Sequence, residues 1–226
     1  MFVLIFIVAQ VSSGLSFTLH FLTWPNETQA VVNDTVKFLW KYYVKGKDVD
    51  IKWGTARQIS PKVSTFDKIF FTAKKYEEFR NPVLSPQIPA RYKGRVQIVG
   101  QASLQIVNVT EEDEGGYLCE ISDTGAGWKT LSRAVKLHVL IPPTIISHPR
   151  ESQLLDEGEE LRLGCKATGK PIPEVSWYKG QIELIQGIGS AEYLKPDVSR
   201  GDNGIYRCVA RNNASQVEYT VKVVVQ

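Results

Sequence analysis

The sequence has few of the residues from which metal sites and reactive centres are built. It contains three cysteines and three histidines among 226 residues, and the histidines, His20, His138 and His148, lie far apart. None of them belongs to an H-E-x-x-H or Cys/His spacing that would hold zinc. A G-x-S-x-G turn for nucleophilic catalysis is absent as well. These absences predict a protein that is not an enzyme and that has no metal or cofactor.

Long hydrophobic runs and blocks of one charge are also missing. The apolar run at residues 2–9, F-V-L-I-F-I-V-A, is shorter than the roughly 20 residues that a transmembrane helix needs. Small residues follow it at Ser12, Ser13 and Gly14, so the run predicts a secretory signal peptide over residues 1–15. Because no Lys or Arg precedes the run, a buried first strand is the alternative. Lys and Arg are spread along a chain of net charge +3, which implies no nucleic-acid partner.

Four glycosylation sequons of the form N-x-Ser/Thr agree with export from the cell. Their asparagines are Asn26, Asn33, Asn108 and Asn213. Each predicts a site for an N-linked glycan, and an exported protein is also free to form disulfides. With three cysteines, at most one disulfide closes within the chain and one thiol is left over. Since no second apolar run occurs before Gln226, we expect a secreted protein or an ectodomain separated from its anchor.

Apolar and polar residues alternate at period two along much of the chain, and no long stretch keeps the helical repeat of 3.6 residues. Val36, Phe38, Trp40 and Tyr42 share one face of such a strand, while the lysines between them share the other. The same alternation recurs at residues 117–121, 135–139, 161–165 and 206–210. The fold class predicted from this pattern is all-β, with two sets of strands.

The chain divides near Ile141-Pro142-Pro143, where two prolines remove backbone donors and hold the chain extended. Both halves end on the same pattern, because residues 113–119 read D-E-G-G-Y-L-C and residues 202–208 read D-N-G-I-Y-R-C. D-x-G-x-Y-x-C is therefore an internal repeat. It predicts two domains of similar construction, residues 16–140 and residues 141–226.

This repeat, together with a Trp soon after an earlier Cys, resembles the immunoglobulin superfamily. Trp177 follows Cys165 by 12 residues, as the Trp of strand C follows the Cys of strand B in that family. The resemblance implies two tandem β-sandwiches. In the second one it implies a disulfide between Cys165 and Cys208, packed against Trp177, with Tyr206 making the corner hydrogen bond. This half resembles an I-set or C2-type domain.

The first half is longer between its strands C and F, as in variable-type domains. Residues 91–119 resemble the V-set domains of myelin P0, butyrophilin-like and junctional-adhesion-like surface proteins. The resemblance implies that Tyr117 is the corner tyrosine. It also implies a salt bridge from Asp113 to Arg95, with Arg91 as the less favoured partner.

One cysteine of this pattern is missing from the first half. Counting back from Trp53, which corresponds to the Trp of strand C, Trp40 stands where the family holds the cysteine of strand B. We expect Trp40 to point into the sandwich and Cys119 to be a buried, unreactive thiol beside the indole. An intermolecular disulfide or a reactive thiol is the alternative. The aromatic packing of Trp40, Trp53 and Tyr117 would compensate for the missing bridge.

Two short motifs suggest binding sites but have structural explanations. Arg200-Gly201-Asp202 is an R-G-D tripeptide, yet Asp202 is also the Asp of the second D-x-G-x-Y-x-C repeat. We expect its carboxylate to be used inside the domain, in a tight turn, and we do not favour integrin binding. The acidic run at residues 111–114 is interpreted as a solvated loop instead of a calcium site.

The remaining candidate is a surface. In V-set domains the sheet of strands G, F, C and C′ commonly contacts the partner, so the resemblance implies extracellular recognition or cell adhesion. The ligand would be another extracellular protein or a second copy of the chain, bound by the first domain. The candidate interface residues are Lys52, Leu118, Glu120 and Trp128. The alternative is a soluble immune-type binder of foreign or carbohydrate ligands, which would use loops at one end of the V domain, including residues 122–128.

Overall fold

The structure is a computed structural model. It describes residues 19–25, 27–45, 48–60, 63–76, 78–79, 83–85, 88–100, 102–125 and 129–226. The predicted signal peptide, Asn26 and Trp128 therefore lie outside the described residues. Within those ranges the chain forms β-strands and three 3₁₀ turns but no α-helix, so the predicted all-β fold class is confirmed. No helix in the described part has the length and hydropathy of a membrane span.

The strands of the first half are short at its edges and long in the middle. They are β1 (Leu19–Thr23), β2 (Thr28–Val31), β3 (Val36–Phe38), β4 (Lys41–Val44), β5 (Val49–Ser60), β6 (Val63–Tyr76), β7 (Glu78–Phe79), β8 (Val83–Leu84), β9 (Val96–Val99), β10 (Ser103–Ile106) and β11 (Gly115–Asp123). Two 3₁₀ turns, Ala90–Tyr92 and Glu111–Asp113, lie between them.

The strands of the second half follow a long connecting strand. They are β12 (Lys129–Ser147), β13 (Ser152–Leu155), β14 (Leu161–Lys170), β15 (Glu174–Lys179), β16 (Ile182–Ile188), β17 (Ser190–Lys195), β18 (Gly204–Arg211) and β19 (Gln216–Val225). The third 3₁₀ turn is Arg200–Asp202.

The described chain forms two compact units. The first contains the described residues up to Pro25 together with residues 38–104 and 117–135. The second contains the described residues of 26–37, 105–116 and 136–226. This division differs from the predicted one at residue 140, because two segments of the first half group with the second half.

In the first unit, β11 lies between β5 and the start of β12, and β6 lies on the other side of β5. A separate ribbon pairs β1 with β4, and β3, β10 and β9 form a three-stranded sheet. Trp53 on β5 lies opposite Phe71 on β6, and the register slips at the next residue, Gly54. A Cβ atom on Gly54 would lie 1.9 Å from the backbone oxygen of Lys68, so only glycine fits this bulge.

The predicted alternation in the first half is confirmed by burial. Val36, Phe38, Trp40 and Tyr42 are at most 5% exposed, whereas the lysines at 37 and 41 are exposed. The strand is interrupted after Phe38, so that β3 pairs with β10 while β4 pairs with β1. The inward face nevertheless continues through the interruption, because the alternation of side chains is unbroken.

The second unit packs two sheets around one core. One sheet has the strand order β13-β19-β18-β15-β16, and in the other β14 lies between β12 and β17. Pro142 and Pro143 do not end β12. The pairing with β14 instead skips them, from Ile141 opposite Lys170 to Thr144 opposite Thr168. This agrees with the chemistry of proline, which holds an extended backbone but has no N–H to donate to the ladder.

Candidate functional site

Cys119 is the free cysteine of the described chain, and it is completely buried on β11. Burial raises the pKa of its thiol well above the ordinary value, and the Glu120 carboxylate adds to the rise. Burial likewise raises the pKa of Tyr42 to about 12, with a further contribution from Cys119. Because the thiolate is the nucleophile, both the burial and the raised pKa disfavour a reactive thiol.

The aromatic residues predicted for the first core are buried. Trp40 and Trp53 are completely buried, and Tyr117 is 1% exposed. The ring centroids of Phe38 and Trp40 are 5.7 Å apart, and those of Phe38 and Tyr117 are 4.8 Å apart. Trp53 Nε1 donates a hydrogen bond of 2.7 Å to the carbonyl oxygen of Ala102. Trp40 therefore belongs to the buried aromatic core of this half, and its place at the missing disulfide stays a prediction.

The second half has the features that the first half lacks. Cys165 and Cys208 form a disulfide with an S–S distance of 1.98 Å. Trp177 is completely buried and lies directly opposite Cys208 in the β15–β18 pair. Tyr206 Oη donates a 3.0 Å hydrogen bond to the backbone oxygen of Asp202. This is the corner hydrogen bond that the family resemblance implied.

The R-G-D tripeptide lies in the 3₁₀ turn Arg200–Asp202, and its carboxylate is engaged inside the domain. Asp202 Oδ2 accepts hydrogen bonds from the backbone N–H of Ser199 at 2.9 Å and from its hydroxyl at 3.2 Å. Lys195 Nζ lies 3.2 Å from Oδ1. The Ser199 N–H and then Lys195 lower the pKa of Asp202 below its usual value, against the effect of burial. These contacts agree with the expectation that the Asp202 carboxylate is used inside the domain.

The first copy of the repeat has a similar turn. Asp113 is 1% exposed, and its Oδ2 accepts the backbone N–H of Thr110 at 2.9 Å. Arg95 Nη1 donates to the backbone oxygen of Arg91 at 2.9 Å. The salt bridge between Arg95 and Asp113 stays a prediction. Glu114, at the end of the acidic run, accepts the backbone N–H of Val139 at 2.9 Å.

The predicted interface residues do not share one environment. Lys52 Nζ and Glu120 Oε1 form an ion pair of 3.0 Å, and their side chains are 41% and 24% exposed. Thr72 lies opposite Lys52 across the β5–β6 pair and is exposed. Leu118 is only 2% exposed, so its prediction as a contact residue is wrong. Residues 117–119 of β11 are all buried, so both faces of the strand are covered at this point.

Comparison with known families decides where this chain belongs. The family model "Immunoglobulin V-set domain" matches residues 23–140, and the model "Immunoglobulin domain" matches residues 142–212. The chain belongs to the immunoglobulin superfamily.

The curated relatives are much longer than this chain. The netrin receptor DCC of Homo sapiens is 29% identical over 136 residues, which are 58% of this chain and 9% of the receptor. Protein turtle of Drosophila melanogaster is 30% identical over 148 residues, which are 59% of this chain and 10% of that protein. Hemicentin-1 of Homo sapiens is 34% identical over 133 residues, which are 57% of this chain and 2% of that protein. The chain therefore spans about a tenth or less of these relatives.

Solved structures of tandem immunoglobulin domains share the fold. The titin I-band fragment I67–I69 has a TM-score of 0.60 and 22% identity, and covers 92% of this chain and 65% of its own. Sidekick-1 immunoglobulin domains 1–4 have a TM-score of 0.65 and 18% identity, and cover 92% of this chain and 48% of their own. At these identities the similarity shows the fold alone.

The V-set half also has an exposed apolar ribbon that sequence reasoning missed. On or beside β1 and β4, Leu22, Leu39, Trp24 and Tyr43 are between 43% and 55% exposed. The guanidinium of Arg133 lies 4.8 Å from the ring centroid of Trp24, a cation–π contact. A signal for this ribbon was present, because Leu39 and Tyr43 fall on the polar side of the strand's alternating pattern.

Proposed function

We propose that this chain is a non-enzymatic module of extracellular recognition or cell adhesion, and that its V-set domain binds a protein partner. Among its relatives, the netrin receptor DCC is a receptor by name. A structure of Dpr11 IG1 bound to DIP-gamma IG1 and IG2, with a TM-score of 0.51 and 21% identity, covers 92% of this chain and 98% of its own. In that complex one immunoglobulin protein binds another. By analogy, the proposed partner is an immunoglobulin-domain protein, with a second copy of this chain as the first candidate.

The observation that carries the proposal is a partly exposed face formed by β5, β6 and β11. We call it the Lys52 face and define it by Lys52, Thr72 and Glu120. Its ion pair is partly exposed, so each charge can also attract an opposite charge on a partner. Charged groups on the face of a sheet suit recognition of another protein surface, where electrostatic complementarity sets specificity and association rate.

The proposed location is outside the cell. The Cys165–Cys208 disulfide supports this placement, since disulfides persist in oxidising compartments and are rare in the cytosol. The apolar run and the four sequons of the sequence support the same placement.

Sedimentation velocity of the purified full chain over a range of concentrations tests the function. We expect a concentration-dependent dimer that Lys52→Glu weakens about tenfold, because the reversal places like charges at the contact. Tyr43→Glu is the matched control, since Tyr43 is an exposed side chain on the β1–β4 ribbon, which is a separate sheet from the one that carries the Lys52 face. It should leave the dimer unchanged.

The double exchange Lys52→Glu with Glu120→Lys separates a folding defect from a binding defect. It restores the intrachain ion pair, so a loss of stability in the single variant should be recovered in the double one. A chain that stays monomeric at high concentration and captures no immunoglobulin-domain partner would contradict the proposal. If Tyr43→Glu abolished binding while Lys52→Glu did not, the Lys52 face would be the wrong surface.

A further inference from the structure

Two sequons that are far apart in the sequence lie side by side in the structure. The backbone N–H of Asn33 donates to Val109 O at 2.7 Å, and the backbone N–H of Val109 donates to Asp34 O at 2.9 Å. Asn33 and Asn108 both have positive φ, 72° and 50°, and both are exposed. Asparagine tolerates this left-handed conformation better than most residues. The two turns are therefore fixed to each other with both acceptor asparagines at the surface.

The sequon at Asn213 is attached to the same part of the fold. Asn212, immediately before Asn213, donates from Nδ2 to Ile141 O at 2.8 Å and to Pro171 O at 3.0 Å. Its Oδ1 accepts the backbone N–H of Ala214 at 2.9 Å, which shapes the turn that exposes Asn213. The start of the sequon is thus tied to β12 by a side chain of its own loop.

Two consecutive backbone carbonyls of β12 connect the Asn33 turn with the Asn213 turn. Val32, the residue before Asn33, donates its backbone N–H to Leu140 O at 3.0 Å, and the next carbonyl, Ile141 O, accepts from Asn212. Successive carbonyls of an extended strand point to opposite sides. Asn33 and Asn213 therefore flank the same two residues of β12 from opposite sides, and all of these residues belong to the second compact unit.

We propose that N-linked glycans on Asn33, Asn108 and Asn213 form one cluster around residues 140–141, which we call the β12 glycan cluster. The proposal rests on the extracellular location proposed above, because N-glycans are added in the secretory pathway. A protein partner is excluded from this part of the surface, while the Lys52 face on β5, β6 and β11 carries none of the three sites.

The reactivity of Lys170 can report whether the glycans shield this part of the surface. It lies opposite Ile141 in the β12–β14 pair, and its Nζ is 3.3 Å from Glu111 Oε1 and 3.3 Å from Glu114 Oε2. Its side chain is 37% exposed, so a reagent can reach it in the bare protein. Lys222 on β19 is exposed, and it pairs with Ser152 of β13 at a different edge of the unit.

The first experiment measures occupancy. The full chain is expressed in eukaryotic cells, and glycopeptides are identified by mass spectrometry before and after enzymatic removal of the glycans. Asn33→Asp, Asn108→Asp and Ser215→Ala should each remove one glycan, and aspartate preserves the left-handed turns. Ser215→Thr, which keeps the sequon, is the matched control and should keep the glycan. A secreted variant that folds as the parent does and loses no glycan mass would overturn the assignment of that site.

The second experiment measures shielding. A bulky polymer-linked amine reagent should modify Lys170 more slowly in the glycosylated protein than after glycan removal, while the rate at Lys222 stays the same. Equal rates at Lys170 would overturn the cluster even if all three sites were occupied. Protein that reaches the medium without glycans at these sites would overturn this inference alone. Protein that is retained in the cytosol with its cysteines reduced would overturn the proposed function as well.

Discussion

Reduction of the Cys165–Cys208 disulfide is expected to destabilise the second domain and to leave the first domain unchanged. The two cysteines are 43 residues apart, and for a loop of that length the chain-entropy model gives about 4 kcal/mol of stabilisation. Since about 1.4 kcal/mol corresponds to a factor of ten, reduction should raise the unfolding constant of this domain about a thousandfold. Reduction leaves both sulfur atoms in the core, so little of the loss comes from a cavity.

The measurement is urea denaturation with and without a phosphine reductant, combined with hydrogen exchange read by mass spectrometry. Peptides from β14 and β18 should lose about a thousandfold of protection, while peptides from β5 and β11 keep theirs. Cys119→Ala is the control, because the buried thiol takes part in no bridge and its removal should not alter the response to reductant. Without denaturant, one slowly reacting thiol is expected. A reducible dimer, or an equal loss of protection in both domains, would refute the reasoning.

Two further predictions concern single side chains of the cores and turns. Trp40→Ala should lower the free energy of unfolding by about 3 to 5 kcal/mol, because removal of a completely buried indole leaves a large cavity. Trp40→Phe should lower it by less. Urea denaturation midpoints measure both effects. Asp202 has a lowered pKa, chiefly through the N–H of Ser199, so its contribution to stability is present above its unfolded pKa of about 4 and is lost as the pH falls through the folded value. Asp202→Asn should therefore be less stable than the parent at neutral pH and lose less stability on acidification. Thermal unfolding measured between neutral pH and pH 3 checks this. Equal pH dependence in the parent and the variant would show that the carboxylate does not contribute to stability.

The strands and the repeated turns were predictable because local patterns control them. Period-two alternation placed Val36 to Tyr42 correctly, since a pleated strand sends successive side chains to opposite faces. The D-x-G-x-Y-x-C turn was also predictable from the sequence. In both copies the aspartate accepts hydrogen bonds from a residue three positions earlier, Thr110 or Ser199, so the whole interaction lies within one short segment.

Leu118 shows where such reasoning fails. Alternation assigns it to the outward face of β11, and an outward position was taken to be an exposed one. Exposure depends on what covers a face, however, and residues 117–119 of β11 are all buried, so the outward face is covered at Leu118. The apolar ribbon of β1 and β4 was missed for a related reason. The strand breaks after Phe38 and changes partners, and pairing between distant segments is not encoded in the spacing of either one.

By itself, the sequence determined the all-β fold class, the two halves, the cysteine without a partner and the positions of the four sequons, because each of these depends on residue type and short spacing. Tertiary structure alone decided which of these features meet. Hydrogen bonds from Val32 and Asn212 to consecutive carbonyls of β12 bring together sequons at residues 33, 108 and 213. The bonds join segments that are close only after the chain has folded, since strand pairing, and not sequence distance, determines the neighbours of a residue.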